Sequence, residues 1–131
     1  MVTILIVDDF RRFRDVVFQI LKTRPDFRVV GQAADGLEAV KQAEKLRPDL
    51  ILLDVGLPKM NGMDAARQIL KSQPHSKILF VSSDFSKPLI EEGLRLGASG
   101  YFSKMDLGIE LLRAIDVVLS GGQFKSKRTG A

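Results

Sequence analysis

The stretch "PDLILLDVGLPKMNG" at residues 48–62 decides the fold predicted for this chain. Residues 50–53 are four consecutive apolar residues that lead to a single acid, Asp54, and the chain then breaks into Gly, Pro and Asn. An uninterrupted apolar run of this length is typical of a strand that is buried on both faces, as in a parallel sheet. A carboxylate at the end of such a strand loses hydration, so it needs a cation or hydrogen-bond donors to stay charged.

The rest of the chain alternates between similar short runs and segments with helical spacing. The predicted strands are 3–7, 27–34, 50–53, 77–81 and 100–103. Between them, apolar residues recur three or four positions apart, which is typical of amphipathic helices. Because strand and helix segments alternate, we predict an α/β fold. Its core is a doubly wound, five-stranded parallel sheet with helices on both faces and right-handed crossovers.

Composition limits the classes of function. The chain has 131 residues and no cysteine, which excludes disulfides, thiolate metal sites and thiol catalysis. No stretch approaches the roughly 20 apolar residues of a membrane span, and the N-terminus lacks a basic, apolar leader. We therefore expect a cytoplasmic protein that does not associate with membranes. Three of the 20 basic residues lie in the last nine positions, and the other 17 nearly balance 16 acids, so direct nucleic-acid binding is not expected.

Polar side chains follow four of the five predicted strands. The first strand ends in Asp8 and Asp9, the third in Asp54, the fourth in Ser82, and the fifth leads to Lys104. In parallel α/β sheets these carboxyl ends share one edge, which is where ligands bind. Acids on strands about 5 Å apart repel one another, and a hard divalent cation would relieve that repulsion. The sequence therefore predicts an oxygen-lined site that suits Mg²⁺ better than Ca²⁺.

Four pieces of sequence at these strand ends resemble one known family. "LIVDD", "LILLDVGLPKMNG", the hydroxyl after "KILFV", and "GASGYFSK" together resemble the receiver domain of bacterial two-component response regulators. Met105, where many receivers have proline, and the ending "LLRAIDVVLSGGQF" are similar to receivers of the NarL/FixJ type. The resemblance implies a flavodoxin-like fold with strand order 2-1-3-4-5. It spans residues 1–122, which predicts a receiver domain there and a basic tail or linker stub at 123–131.

The resemblance also assigns chemical roles. It implies that Asp54 is the phosphoacceptor, which takes a phosphoryl group from a sensor histidine kinase or a phosphotransfer protein. Asp9, Asp54 and the Gly56 carbonyl would bind Mg²⁺ directly, and Asp8 would act mainly through metal-bound water. Lys104 would pair with a phosphoryl oxygen. Beyond catalysing its own phosphorylation and dephosphorylation, the chain is not expected to be an enzyme.

Further residues would transmit the signal and set its duration. By the same resemblance, Ser82 hydrogen-bonds the phosphoryl group and Tyr101 reorients with it as a switch. Gly56 and Asp84 would border the path of the hydrolytic water and so modulate the phosphoryl lifetime. Gly62 is expected at a backbone geometry that other residues resist. The switched surface is expected on helix 4, strand 5 and helix 5, where it would serve a homodimer or a separate protein partner.

Alternative functions remain open at this point. The receiver would regulate transcription through a separate or missing effector domain, or serve as a stand-alone phosphate carrier in a phosphorelay. An aspartate-nucleophile phosphatase is disfavoured because Gly56 stands where that class has a second acid. A flavodoxin-like flavin binder is disfavoured because "DDFRRF" is acidic and basic rather than a small-residue phosphate loop. Asp9 as a helix cap, and Tyr101 as a half-buried strand aromatic, are the structural alternatives.

Overall fold

The computed structural model describes residues 1–84 and 86–126. The strands are β1 (Val2–Val7), β2 (Phe27–Ala33), β3 (Leu50–Leu53), β4 (Lys77–Ser82), β5 (Gly100–Ser103) and β6 (Phe124–Lys125). The helices are α1 (Arg11–Leu21), α2 (Gly36–Leu46), α3 (Gly62–Ser72), α4 (Lys87–Arg95) and α5 (Leu107–Leu119), with one 3₁₀ turn at Lys104–Asp106. All strands are parallel in the order β2-β1-β3-β4-β5-β6. The predicted doubly wound sheet and the order of its five main strands are confirmed.

Strand register places the functional residues at one edge. β1 pairs with β3 from Ile4 opposite Leu50 to Val7 opposite Leu53, so the acids that follow both strands emerge at the same level. These strand residues are almost fully buried, as the continuous apolar runs predicted. β4 and β5 end together, with Ser82 opposite Ser103. Lys104 therefore leaves the sheet beside the same edge.

Helices cover both faces of the sheet and enclose two apolar cores. Alternate residues of β1 point to opposite faces, as strand geometry requires. Ile4 and Ile6 join the core under α1 and α5, whereas Leu5 and Val7 join the core under α2, α3 and α4. The predicted two-sided covering is confirmed. Among the described residues, no helix is long and apolar enough to cross a membrane.

A short sixth strand extends the sheet beyond the five predicted ones. Phe124 pairs with Gly100, and its buried ring meets Phe102 edge-on with 6.2 Å between ring centroids. Gly100 permits this approach, because an added Cβ would lie only 2.8 Å from the Phe124 carbonyl oxygen. Ser126, the last described residue, is also buried, and the domain boundary at residue 122 stays a prediction. The remaining predicted tail, 127–131, lies outside the described residues.

Candidate functional site

Three acids meet at the carboxyl edge of the sheet, and we call Asp8, Asp9 and Asp54 the acidic edge. One carboxylate oxygen from each lies within 4.8 Å of the others. Asp8 and Asp54 are buried, whereas Asp9 is exposed. Backbone hydrogen bonds between the strands position these acids. The Asp54 N–H donates to the Val7 carbonyl at the end of β1 at 3.0 Å, and the Asp8 N–H donates to the Ala33 carbonyl at the end of β2 at 3.1 Å. The predicted convergence of the acids is therefore present.

Lys104 places its ammonium over the acidic edge. Its Nζ lies 2.6 Å from Asp8 Oδ2 and 3.5 Å from Asp54 Oδ2. The same ammonium lies 4.4 Å from the centroid of the Phe13 ring on α1, within the range of a cation–π interaction. Phe13 also packs against the core as one of the apolar residues of α1. The helical spacing of Phe13 does not predict this contact, because the contact depends on the side chain of Lys104 extending from the end of β5 toward α1.

The charges at this edge are incompletely compensated. Burial raises the pKa of Asp54, the Lys104 ammonium lowers it, the Asp8 carboxylate raises it, and a hydrogen bond from the Gly56 backbone lowers it; the net direction is upward. Asp8 Oδ2 is buried and accepts no hydrogen bond from the described residues, so the Lys104 ammonium is its compensation. One ammonium thus serves carboxylates from two strands. An all-oxygen donor set with excess negative charge fits Mg²⁺.

The start of α1 shows whether Asp9 caps this helix or is available to a ligand. Asp8 Oδ1 accepts a hydrogen bond from the Phe10 N–H at 2.8 Å. The helix has Phe10 at its N-cap position without a side-chain cap, so Asp9 is not the cap that the structural alternative suggested. No hydrogen bond or ion pair to the Asp9 carboxylate is present among the described residues. Asp9 is therefore available to a ligand.

The loop between β3 and α3 fits closely around the backbone of Asp54. An added Cβ at Gly62 would lie 2.0 Å from the Asp54 carbonyl oxygen, so only glycine fits there. The expectation that other residues resist this position is confirmed, but the reason is lack of space and not a left-handed φ, which in this loop belongs to Lys59 at 67°. The Lys59 ammonium lies 3.7 Å from Asp35 at the start of α2. Close backbone packing, more than dihedral freedom, selects the glycine.

Gly56 leaves the approach to Asp54 open. Gly56 is exposed, and no atom outside its immediate neighbours lies within 4 Å of where its Cβ would be. Its backbone contributes the hydrogen bond that lowers the pKa of Asp54. Its carbonyl as a metal ligand stays a prediction.

Ser82, Asp84 and Tyr101 form a connected group beside the acidic edge. Ser82 Oγ accepts a hydrogen bond from the Asp84 N–H at 3.0 Å, and the Tyr101 hydroxyl donates to the Asp84 carbonyl. The Tyr101 ring is fully buried, 5.7 Å from the Phe80 ring centroid, so the half-buried alternative was wrong. Burial, with the nearby Asp84 and Asp54 carboxylates, raises the pKa of Tyr101 to about 12, against the lowering effect of a Ser82 hydrogen bond. The predicted switch tyrosine therefore already points inward.

Comparison with known proteins identifies the family. The family model described as "Response regulator receiver domain" matches residues 4–116. The chain belongs to this receiver family. A chain of this family is the phosphoacceptor signalling domain of a two-component system, so the predicted class of function is confirmed.

Similar proteins place this receiver among regulators. It is 38% identical to the transcriptional regulatory protein DegU of Brevibacillus brevis over 123 residues, which are 94% of this chain and 52% of DegU. The crystal structure of a LuxR-family two-component response regulator from Aurantimonas sp. SI85-9A1 has a TM-score of 0.94 at 29% identity and covers 98% of this chain and 92% of that one. A chain of the CheX-CheY-BeF3-Mg+2 complex from Borrelia burgdorferi has a TM-score of 0.82 at 28% identity, with 88% of each chain covered. The receiver thus spans about half of DegU, and it spans 59% of the response regulator GacA of Pseudomonas viridiflava, to which it is 35% identical.

Proposed function

We propose that this receiver accepts a phosphoryl group on Asp54 from the phosphohistidine of a sensor histidine kinase or a phosphotransfer protein. One observation carries the proposal: Asp54 is buried beside Asp8 and Lys104, yet the side of the loop at Gly56 is open. A carboxylate in that position is shielded from bulk water but can be approached by a donor. Among the described acids, Asp54 combines these properties with a place in the acidic edge.

The transfer follows from the groups around Asp54. One Asp54 oxygen forms a bond to phosphorus while the phosphorus–nitrogen bond of the donor breaks, and its electron pair stays on the imidazole nitrogen. Lys104 lowers the pKa of Asp54 against the effect of burial, which favours the ionised nucleophile. After transfer the same ammonium pairs with a phosphoryl oxygen. Mg²⁺, held by the acidic edge and the Gly56 carbonyl, would offset negative charge on the phosphoryl group.

Intact-mass spectrometry tests the proposal. Incubation of the receiver with acetyl phosphate and Mg²⁺ should add one phosphoryl group to the wild type and none to Asp54→Asn. Asp15→Asn, which changes an exposed acid of α1, is the matched control and should be labelled like the wild type. Labelling that persists in Asp54→Asn would refute the assignment.

We propose that Ser82 and Tyr101 convert phosphorylation into a change of surface. Phosphorylation replaces the single negative charge of the Asp54 carboxylate with about two on the phosphoryl group, and it adds strong acceptors near Ser82, which now accepts the Asp84 N–H. If the Ser82 hydroxyl rotates to donate to the phosphoryl group, the hydrogen bond between Ser82 and the Asp84 N–H changes. The Asp84 carbonyl accepts the hydrogen bond of Tyr101, so the change reaches Tyr101. The surface of α4, β5 and α5 would then favour a homodimer or an effector that regulates transcription.

Sedimentation with and without beryllofluoride, a phosphoryl mimic, tests the switch. The mimic should increase the mass of the wild type, or increase amide exchange in α4 and β5, and Ser82→Ala should weaken that response. Unchanged mass and exchange in every sample would refute the switch and favour the phosphate-carrier function.

We also propose that Gly56 and Asp84 set the lifetime of the phosphoryl group. Both residues are exposed near Asp54 and Ser82, so side chains there border the approach of water. Asp84→Ala and Gly56→Arg should change the decay rate of the phosphorylated receiver, measured by intact mass after removal of the donor. Decay at the wild-type rate in both variants would contradict the proposal.

A further inference from the structure

We infer that Arg14 is a positioning residue: it fixes the backbone that carries Asp9 and thereby sets the affinity of the acidic edge for Mg²⁺. The inference rests on the cation site of the proposed function. Arg14 does not contact the acids of that site through their carboxylates. It acts through the backbone of the turn between β1 and α1.

One guanidinium connects three elements at this turn. Arg14 lies half-buried on the first turns of α1. Its Nη1 donates to the Asp8 carbonyl at 2.7 Å, and its Nε donates to Gln32 Oε1 on β2 at 3.0 Å. The planar fork of arginine presents donors in fixed directions, so the two acceptors together define the orientation of the group. Arg14 thus ties α1 to the ends of β1 and β2.

These contacts fix the backbone on both sides of Asp9. The Asp8 carbonyl belongs to the peptide group that precedes Asp9, and Arg14 holds it. The Phe10 N–H belongs to the peptide group that follows Asp9, and Asp8 Oδ1 holds it. The Asp9 carboxylate has no hydrogen bond or ion pair of its own among the described residues. Because no residue that the structure describes holds this carboxylate, the backbone sets where it can reach, and Arg14 supplies one of the restraints on that backbone.

A charge effect would act in the opposite direction. The positive guanidinium near the acidic edge repels a cation, so its removal would tighten Mg²⁺ binding if charge dominated. Loss of the restraint on Asp9 would weaken binding instead. Lysine distinguishes the two effects because it keeps the charge, whereas its single ammonium lacks the planar fork that holds both acceptors. The positioning role predicts weaker binding for both Arg14→Met and Arg14→Lys.

The experiment is a Mg²⁺ titration of the unphosphorylated, ¹⁵N-labelled receiver, followed by amide chemical shifts. Removal of groups that orient metal ligands typically weakens metal binding about ten-fold or more, so Arg14→Met should raise the Kd for Mg²⁺ by about ten-fold. Arg14→Lys and Gln32→Met should raise it less, because each keeps part of the arrangement. Arg12→Met, at an exposed arginine of the same helix, should bind like the wild type. Thermal unfolding confirms that each variant is folded.

A second background separates positioning from a general structural effect. In Asp9→Ala, where the positioned carboxylate is gone, Arg14→Met should cause no further loss of Mg²⁺ affinity. An equal further loss in the Asp9→Ala background would overturn the inference. Wild-type Mg²⁺ affinity in folded Arg14→Met would also overturn it. So would tighter Mg²⁺ binding in Arg14→Met together with wild-type affinity in Arg14→Lys. If Asp9→Ala alone leaves Mg²⁺ binding intact, the proposed cation site itself fails. That result is distinct from failure of the Arg14 inference alone.

Discussion

Carboxylates at opposite ends of the sheet have contrasting surroundings. Near the amino end of β2, Arg24 donates hydrogen bonds to both oxygens of Asp26 and of Asp116, at 3.0 to 3.1 Å. These three residues form an exposed clamp between the α1–β2 loop and α5. At the carboxyl end, Asp54 is buried and shares the Lys104 ammonium with Asp8.

The pKa values separate the two regions. The hydrogen bond from Arg24 holds the pKa of Asp26 below its ordinary value, whereas burial raises the pKa of Asp54. The clamp favours the charged form of Asp26, and the fold itself supplies hydrogen bonds to both acids of the clamp. Burial at the acidic edge disfavours the charged form of Asp54, and a bound cation would offset that effect. Acids that the fold satisfies hold elements together, whereas acids that it leaves incompletely satisfied are available for chemistry.

Among the residues around the phosphoacceptor, removal of the Lys104 ammonium should have the largest effect on phosphorylation. Groups that stabilise developing charge are typically worth about 100-fold or more in rate, so Lys104→Met should be phosphorylated by acetyl phosphate about 100-fold more slowly than the wild type. Intact-mass time courses measure the rate. Lys59→Met, at an exposed lysine paired with Asp35, is the control and should react at nearly the wild-type rate. Equal rates in both variants would mean that Lys104 only balances charge in the resting fold.

Two glycine-to-alanine substitutions test how closely the acidic edge is packed. Gly62→Ala should destabilise the protein by about 3 kcal/mol, because its Cβ would overlap the Asp54 carbonyl oxygen. Gly108→Ala in α5, where no atom lies near the added Cβ, should stabilise it by about 0.5 to 1 kcal/mol through helix propensity. Urea unfolding measures both. If the two variants changed stability in the same direction, the close packing at Gly62 would be contradicted.

The stability difference between wild type and Asp54→Asn should depend on pH. Because the folded pKa of Asp54 is raised, ionisation of Asp54 costs folding free energy above that pKa, and the cost disappears below the ordinary value of 3.8. In metal-free buffer, Asp54→Asn should exceed the wild type in stability most at neutral pH. The gap should narrow as the pH falls through the raised pKa. Asp26 has the opposite sign, since its lowered pKa gives stability above 3.8 that is lost on acidification.

Much of this fold was predictable because short stretches of the sequence indicate its elements. The apolar runs of β1, β3 and β4 predict buried strands, and the acids and the lysine directly after strands share an edge by parallel geometry alone. β6 was not predictable, because it is two residues long and its one apolar side chain, Phe124, lies in a basic segment. Its pairing depends on space beside Gly100, which only the folded sheet defines.

The details of the site depended on side-chain paths that spacing does not encode. Lys104 crosses to Phe13, and Tyr101 turns inward to the Asp84 carbonyl, because of the packing between separate elements. The same is true of Arg14, whose two acceptors lie directly after β1 and on β2. Sequence reasoning found the groups at strand ends and missed the helix residues that orient them.

The smallest expected effect belongs to Phe13. Phe13→Leu keeps an apolar side chain of similar burial but removes the ring that faces the Lys104 ammonium. Exposed cation–π interactions are worth about 0.5 to 1 kcal/mol, so phosphorylation by acetyl phosphate should slow about three-fold. Phe18→Leu, at a half-buried ring of the same helix that packs against the core, should leave the rate unchanged. A three-fold loss in both variants would indicate a general packing effect.

The most direct test of the central claim compares one acid from each region. The claim is that the fold satisfies the acids of the Arg24 clamp and leaves Asp54 incompletely satisfied. Urea unfolding at pH 7 without metal should show that Asp54→Asn is more stable than the wild type and Asp116→Asn is less stable. Mg²⁺ should stabilise the wild type and Asp116→Asn more than Asp54→Asn. A loss of stability in metal-free Asp54→Asn that matches the loss in Asp116→Asn would contradict the claim.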